Sequence, residues 1–216
     1  NQVKSIVDFD KVKIRQNGDW LTKLTLKDIV NIASNISAIQ LFKRESFQRR
    51  LDHGDTVWYH ETMYPLLQGY DSVAMDVDLE IGGTDQEFNM LVGRELMRKM
   101  KNKEKFVLTL PMIVGTDGKP MSKTSGNCVW INDTPEDMFG KLMGLPDDQI
   151  KSYWQLVTDL NETEMTHNPL ADKKRLAFEV VKDLHSLKAA QTAQTHFETT
   201  IQQKRAPANL PTFKVS

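Results

Sequence analysis

Two apolar runs set the architecture open to this chain: residues 77–81 (Val-Asp-Leu-Glu-Ile) and 106–110 (Phe-Val-Leu-Thr-Leu), with a helical pattern over 84–101 between them. Strands separated by a helix cannot close as a hairpin. They pair in parallel through a right-handed crossover. Open parallel sheets take their ligands at the C-terminal ends of the strands. That directs attention to Gly82-Gly83-Thr84-Asp85-Gln86 after the first run and to the loop 115–127 after the second.

Two glycines at a strand end let a ligand approach the backbone, because no Cβ intervenes. Asp85 can accept hydrogen bonds from ribose hydroxyls, and the first amides of a following helix point outward. The same residues have a plainer reading: Thr84-Asp85-Gln86-Glu87 has the pattern of a capping box, which starts a helix without any ligand. No GxGxxG occurs, so a dinucleotide fingerprint is absent. The loop 115–127 reads Gly-Thr-Asp-Gly-Lys-Pro-Met-Ser-Lys-Thr-Ser-Gly-Asn. Pro120 follows Gly118-Lys119 where a Walker A loop needs Ser or Thr. A turn at 116–118 with solvated lysines and a phosphate-binding loop using Lys123 both remain open.

A third pattern lies upstream. Tyr64, Gln68 and Asp71 stand at i, i+4 and i+7, on one face of a helix expected over 59–74. Most polar stripes of this kind are solvated. Flanked by Met63, Leu66, Leu67 and Tyr70, this one could instead hold the ammonium and carbonyl side of an amino acid. Pro65 either lies in the first turn of that helix or kinks it.

The 216 residues suffice for one domain or two small ones. With a net charge of −1, bulk charge gives no argument for nucleic-acid affinity, and any RNA contact must be local. The single Cys128 excludes a disulfide framework and a multi-cysteine zinc site. The five histidines lack ligand spacing, so no metal site is expected. No apolar run approaches the ~20 residues of a membrane span, and no signal peptide is visible.

Along the chain, 11–15 alternates as a short strand and Asn17-Gly18 forms a turn. Thr25 caps a helix with Asp28 completing a box, and further helices are expected over 37–42 and 45–52. The apolar Ile36, Ile39, Leu41, Phe42 and Phe47 of these helices suit a core, with an interface as the alternative. Thr134-Pro135-Glu136-Asp137 starts another helix, which Gly144 and Pro146 stop. Helices dominate from there on. The fold class expected is α/β: a partial Rossmann-type parallel sheet followed by an all-α region.

In order and spacing, the segments Tyr64–Asp71, Gly82–Gln86 and Pro120–Thr124 resemble those of bacterial tyrosyl-tRNA synthetases, members of class I. Supporting stretches are Gly93-Arg-Glu-Leu96 and the run from Glu136 to Met143. The resemblance implies a tyrosine–tRNA ligase, with ATP and tyrosine as substrates and tRNA(Tyr) as acceptor. It implies that Tyr64, Gln68, Asp71 and Gln86 contact tyrosine, and that Gly83 and Asp85 contact the adenosine ribose. Met121, Ser122, Lys123 and Thr124 would form the ATP-binding KMSKS-type loop, with Lys123 acting on the pyrophosphate in the transition state. The first lysine of that motif is replaced by Pro120, with Lys119 one position earlier.

The resemblance further implies Mg²⁺ accompanying ATP without a protein metal site, a cytoplasmic location, and homodimer formation through a connective insertion at about 24–60. Residues 1–130 would be the C-terminal half of a catalytic domain, 131–205 a helical region, and 206–216 a linker tail. No His-x-Gly-His occurs. On the resemblance, the nucleotide-binding half with its HIGH motif is expected upstream, and the chain alone is expected to be inactive. Two other readings stay open: a non-catalytic synthetase-like protein that binds RNA or a partner, and an unrelated phosphate-binding module.

Overall fold

The computed structural model describes residues 2–122 and 124–203. Backbone contacts divide the chain into one unit over Ile14–Met112 and a second made of the residues up to Lys13 together with those from Ile113 onward.

The first unit begins with four short helices, α1 (Gly18–Leu21), α2 (Leu26–Ala33), α3 (Ala38–Phe42) and α4 (Glu45–Asp52). Then come α5 (Tyr59–Met75), β1 (Leu79–Gly83), α6 (Glu87–Lys101) and β2 (Phe106–Leu110). The two strands pair in parallel, from Leu79 opposite Phe106 to Gly83 opposite Leu110, as the helical crossover requires. The α/β expectation holds. At the start of α2 the Thr25 hydroxyl accepts from Asp28 N–H at 3.3 Å, and the Asp28 carboxylate accepts from Thr25 N–H at 2.8 Å. That is the reciprocal box its sequence announces.

Helix α5 crosses α6 at two glycines. A Cβ on Gly69 would lie 2.9 Å from Val92 Cγ1, and one on Gly93 would lie 2.7 Å from Lys105 Nζ, so the close approach depends on both. Leu66 and Val73 of α5 meet Val92, Leu96 and Met97 of α6 in a core that also takes Ile32. Each such side chain, fully buried, contributes about 1.5–3 kcal/mol. Lys105 enters this layer from the start of β2 with its side chain fully buried. It ion-pairs with Glu80 of β1, donates to Ser72 Oγ of α5 at 2.8 Å, and reaches the Met90 carbonyl of α6 at 3.1 Å. The helices cover one sheet face, while Leu79, Ile81, Phe106, Leu108 and Leu110 are exposed.

Several local expectations are corrected. No strand forms over 11–15, where Val12 and Ile14 are exposed; alternation without a pairing strand buries nothing. β1 begins at Leu79 rather than 77, because α5 ends in a left-handed Asp76 (φ 53°) and Val77 N–H closes onto the Ser72 carbonyl at 3.2 Å. Pro65 stands inside α5, beyond its first turn. Of the apolar residues in α3, α4 and their flanks, Ile36, Leu41 and Phe47 are buried whereas Ile39 and Phe42 are exposed, so neither core nor interface describes them all.

The second unit is helical: α7 (Pro135–Met143), α8 (Ile150–Val157), α9 (Pro169–Leu184) and α10 (Leu187–His196). As the sequence indicates, Thr134 caps α7, its hydroxyl accepting from Asp137 N–H at 3.2 Å, with Pro135 next and Gly144 at the far end. Phe139, Trp154, Leu176 and Val181 fill the core between these helices. The buried Tyr153 hydroxyl donates to the Val114 carbonyl, and burial pushes its pKa up to about 12. Among the described residues no helix is long and apolar enough to cross a membrane. The linker tail expected at 206–216 lies outside the described residues.

Candidate functional site

The first unit gathers polar groups along α5 and at the C-terminal end of β1. Tyr64, Gln68 and Asp71 share the helix face their spacing predicts. They do not share one environment. Tyr64 is 61% exposed, whereas Gln68 and Asp71 are half-buried. The Asp71 carboxylate accepts from the Trp20 indole N–H at 2.8 Å and from Asn17 Nδ2 at 3.3 Å. The Arg15 guanidinium lies 5.8 Å from the centroid of the Trp20 ring. These groups line an open recess of about 620 Å³ with Gly18 and Met75.

Gln68 belongs to a second cluster. Its Oε1 accepts from Asn89 Nδ2 at 2.9 Å, and its own Nε2 lies 3.5 Å from Gln86 Oε1, a long contact. Gln86 Oε1 also accepts from Asn89 at 3.2 Å, while Gln86 Nε2 donates to the Asp85 carboxylate at 2.8 Å. The structure therefore joins Gln68 of α5 to Gln86 and Asp85 beyond β1, although the sequence keeps them apart.

The turn after β1 departs from the capping box read in the sequence. Residues 84–86 form a single 3-10 turn with Gly83 ahead of it and no side-chain cap, and α6 starts at Glu87. The Asp85 carboxylate instead folds back over Gly83. A Cβ on Gly83 would come within 2.5 Å of Asp85 Oδ1 and 2.7 Å of Met112 Sδ, so a larger residue here would displace these two exposed side chains. Asp85 itself is exposed.

In the second unit, the loop after Val114 is organised by the buried side chain of Asn127. Its Nδ2 donates to Asp117 Oδ1 at 2.7 Å and to the Pro120 carbonyl at 3.2 Å, and its Oδ1 accepts from Ser122 N–H at 2.9 Å. The Asn127 bond holds the Asp117 carboxyl below the usual carboxylate range, helped by the Lys119 amide. Gly118 takes the left-handed backbone (φ 75°) that the turn at 116–118 needs. Met121 packs on the helical core, and the Ser122 and Thr124 hydroxyls lie 2.9 Å apart. Lys123 lies outside the described residues.

Asn17, Trp20 and Asn89 are the site neighbours that sequence reasoning missed. Asn89 had a faint signal, lying one helical turn after Gln86. Asn17 and Trp20 had none, since their partner Asp71 is 54 and 51 positions away.

Known proteins are similar to this chain in sequence and in fold. The sequence model of the family described as tRNA synthetases class I (W and Y) matches residues 1–202. The chain is 39% identical to the tyrosine–tRNA ligase of Thermotoga maritima, over all of this chain and 56% of that protein. It is 40% identical to tyrosine–tRNA ligase 2 of Vibrio cholerae, over 99% of this chain and 56% of that one. The chain thus spans about half the length of the curated relatives it matches. Its fold is similar to that of a C-terminally truncated mitochondrial tyrosyl-tRNA synthetase of Aspergillus nidulans (TM-score 0.63, 20% identity, 84% of this chain and 56% of that one). A tyrosyl-tRNA synthetase of Archaeoglobus fulgidus, solved with L-tyrosine, is similar at a TM-score of 0.59 and 20% identity, over 89% of this chain and 70% of that one. With the parallel β1–β2 pair, its glycine turn and a family match over nearly its whole length, this chain belongs to the class I tRNA synthetase family of the tryptophan and tyrosine enzymes.

Proposed function

We propose that this chain works as part of a tyrosine–tRNA ligase. In the first step a carboxylate oxygen of tyrosine attacks the α-phosphate of ATP. The bond to the β-phosphate breaks, leaving tyrosyl-adenylate and pyrophosphate. In the second, a terminal ribose hydroxyl of tRNA(Tyr) attacks the adenylate carbonyl. AMP leaves with the bonding pair, and the hydroxyl proton is released.

Tyr64, Gln68, Asp71 and Gln86 bind tyrosine in this reading, and Gly83 and Asp85 bind the ribose of ATP. The convergence of Gln68, Gln86 and Asp85 beyond β1 is the observation that carries it, in a chain 39% identical to tyrosine–tRNA ligases. Met121, Ser122 and Thr124 present the loop to ATP, and Lys123 neutralises charge as it builds on the leaving pyrophosphate. Such a reaction rests on positioning and electrostatics and needs no protein nucleophile.

Mg²⁺ would shield the triphosphate. Among the described residues no three His, Cys, Asp or Glu side chains gather into a metal site, so no residue is assigned to holding it. Pairing of two copies through about 24–60 draws support from the exposed Ile39 and Phe42, and the cytoplasm is the compartment this reading implies. Tyrosine-dependent exchange of pyrophosphate into ATP by the full-length protein tests the reading. Exchange with tyrosine and none with tryptophan is expected; no exchange with tyrosine would overturn it.

A further inference from the structure

Asn89, near the start of α6, is 2% exposed and sits between the two glutamines of the candidate site. Its amide nitrogen donates to Gln68 Oε1 at 2.9 Å and to Gln86 Oε1 at 3.2 Å. Both amide hydrogens are thereby used, and two carbonyl oxygens from different elements are gathered around one nitrogen. The Asn89 Oδ1 atom is buried without a hydrogen-bond partner. A buried polar atom left without a partner calls for a reason.

We infer that Asn89 is a positioning residue for recognition of the substrate ammonium. The inference rests on the tyrosine reading above. Gln68 Oε1 accepts from Asn89 and keeps a second lone pair for a further donor, whereas Gln86 Oε1 takes both the Asn89 bond and the long Gln68 contact. Among the described residues, the contacts of these amides run to one another and to the Asp85 carboxylate, and none is to a Lys or Arg side chain. The Asp85 carboxylate gives the cluster negative charge, which suits a cationic group. Asn89 fixes which end of each glutamine amide is held inward. Without its two donors, Gln68 and Gln86 are free to rotate and turn N–H groups towards the ammonium.

Calorimetric titration of the full-length protein separates this role from simple support of the fold. The ligands are tyrosine and 3-(4-hydroxyphenyl)propanoate, which is tyrosine without its ammonium. Asn89→Leu keeps similar bulk and removes both donors. Tyrosine binding is expected to weaken about tenfold, the scale of a lost hydrogen bond, and binding of the propanoate to change by less than about twofold. Equal weakening of both ligands, or unchanged tyrosine binding, would overturn the inference. If Asn89→Leu does not fold, Asn89→Ser, which retains one donor, gives the same comparison: a smaller loss, again confined to tyrosine, supports the role, and an equal loss overturns it. Wild-type protein that binds no tyrosine would remove the tyrosine reading and this role together. Wild-type binding with unselective variants would remove this role alone.

Discussion

The Trp20 indole donates its N–H to the Asp71 carboxylate at 2.8 Å, so a residue of the short helix α1 fixes the last member of the α5 stripe. Asn17 adds a weaker bond at 3.3 Å. A hydrogen bond to a charged group contributes about 1.5–3 kcal/mol. Trp20→Phe is expected to destabilise the protein by about that amount in denaturant unfolding and to weaken tyrosine binding. Unchanged stability and unchanged affinity would show that Asp71 is held without Trp20.

The buried Lys105 leads to a second expectation. Lys105→Met removes the cation and leaves Glu80 in a layer built around it, with the Ser72 hydroxyl and the Met90 carbonyl losing their donor. Breaking a buried pair from one side costs about 3–5 kcal/mol, and the partial exposure of Glu80 places this case near ~3 kcal/mol. Glu80→Met combined with Lys105→Met should recover most of the loss, since an apolar pair leaves no charge unmatched. Additive losses in the two variants, measured by chemical denaturation, would mean that the pair does not act as a unit.

The same two kinds of contact explain what the sequence disclosed and what it withheld. Local signals were legible: the box at Thr25 and Asp28, the cap at Thr134, the strand Phe106–Leu110, and the α5 face bearing Tyr64, Gln68 and Asp71. Each depends on residues within one or two turns of each other. The start of α6 differs from its sequence pattern: residues 84–86 form a 3-10 turn without a side-chain cap, and the Asp85 carboxylate accepts from Gln86 Nε2 instead. The Asn89 bridge and the Trp20 bond join residues of different elements, and no periodicity encodes them. Lys105 likewise gives no local sign that its ammonium will be buried beneath Gly93.

Acid sensitivity should arise in part at the junction of α4 and α5. Arg50 donates to Glu61, one of its bonds measuring 3.1 Å, and Trp58 N–H adds another at 2.9 Å. The Arg50 bonds, with the Trp58 bond next, bring the Glu61 carboxyl down from 4.5 to about 2. A folded-state value below the unfolded one means that the stabilisation is complete above about pH 4.5 and is lost as pH falls towards 2. Glu61→Gln should melt lower than wild type near pH 6 and lose less of its Tm between about pH 4.5 and 2. Parallel Tm profiles across that window would assign the acid sensitivity to other groups.

The proposed role of Lys123 makes a kinetic prediction in which Lys119 serves as the comparison. Lys119 is exposed, and its backbone N–H is bound to Asp117 Oδ1 at 3.0 Å, within the turn that Asn127 organises. Its backbone is thus committed to the turn, one position before the proline that replaces the motif's first lysine. A cation that acts on pyrophosphate mainly in the transition state lowers kcat while leaving KM nearly unchanged. Loss of one such charge-stabilising donor slows the step by roughly 10²–10³. In the full-length protein, Lys123→Ala should show that pattern in pre-steady-state adenylate formation, with tyrosine affinity retained. Lys119→Ala should show a smaller loss, because its neighbouring contacts serve the shape of the turn. Asn127→Ala removes the bonds to Asp117 and Ser122 together and should reduce the rate even with Lys123 intact. If all three variants form adenylate at the wild-type rate, the loop is only a connection, and Lys123 has no part in the chemistry.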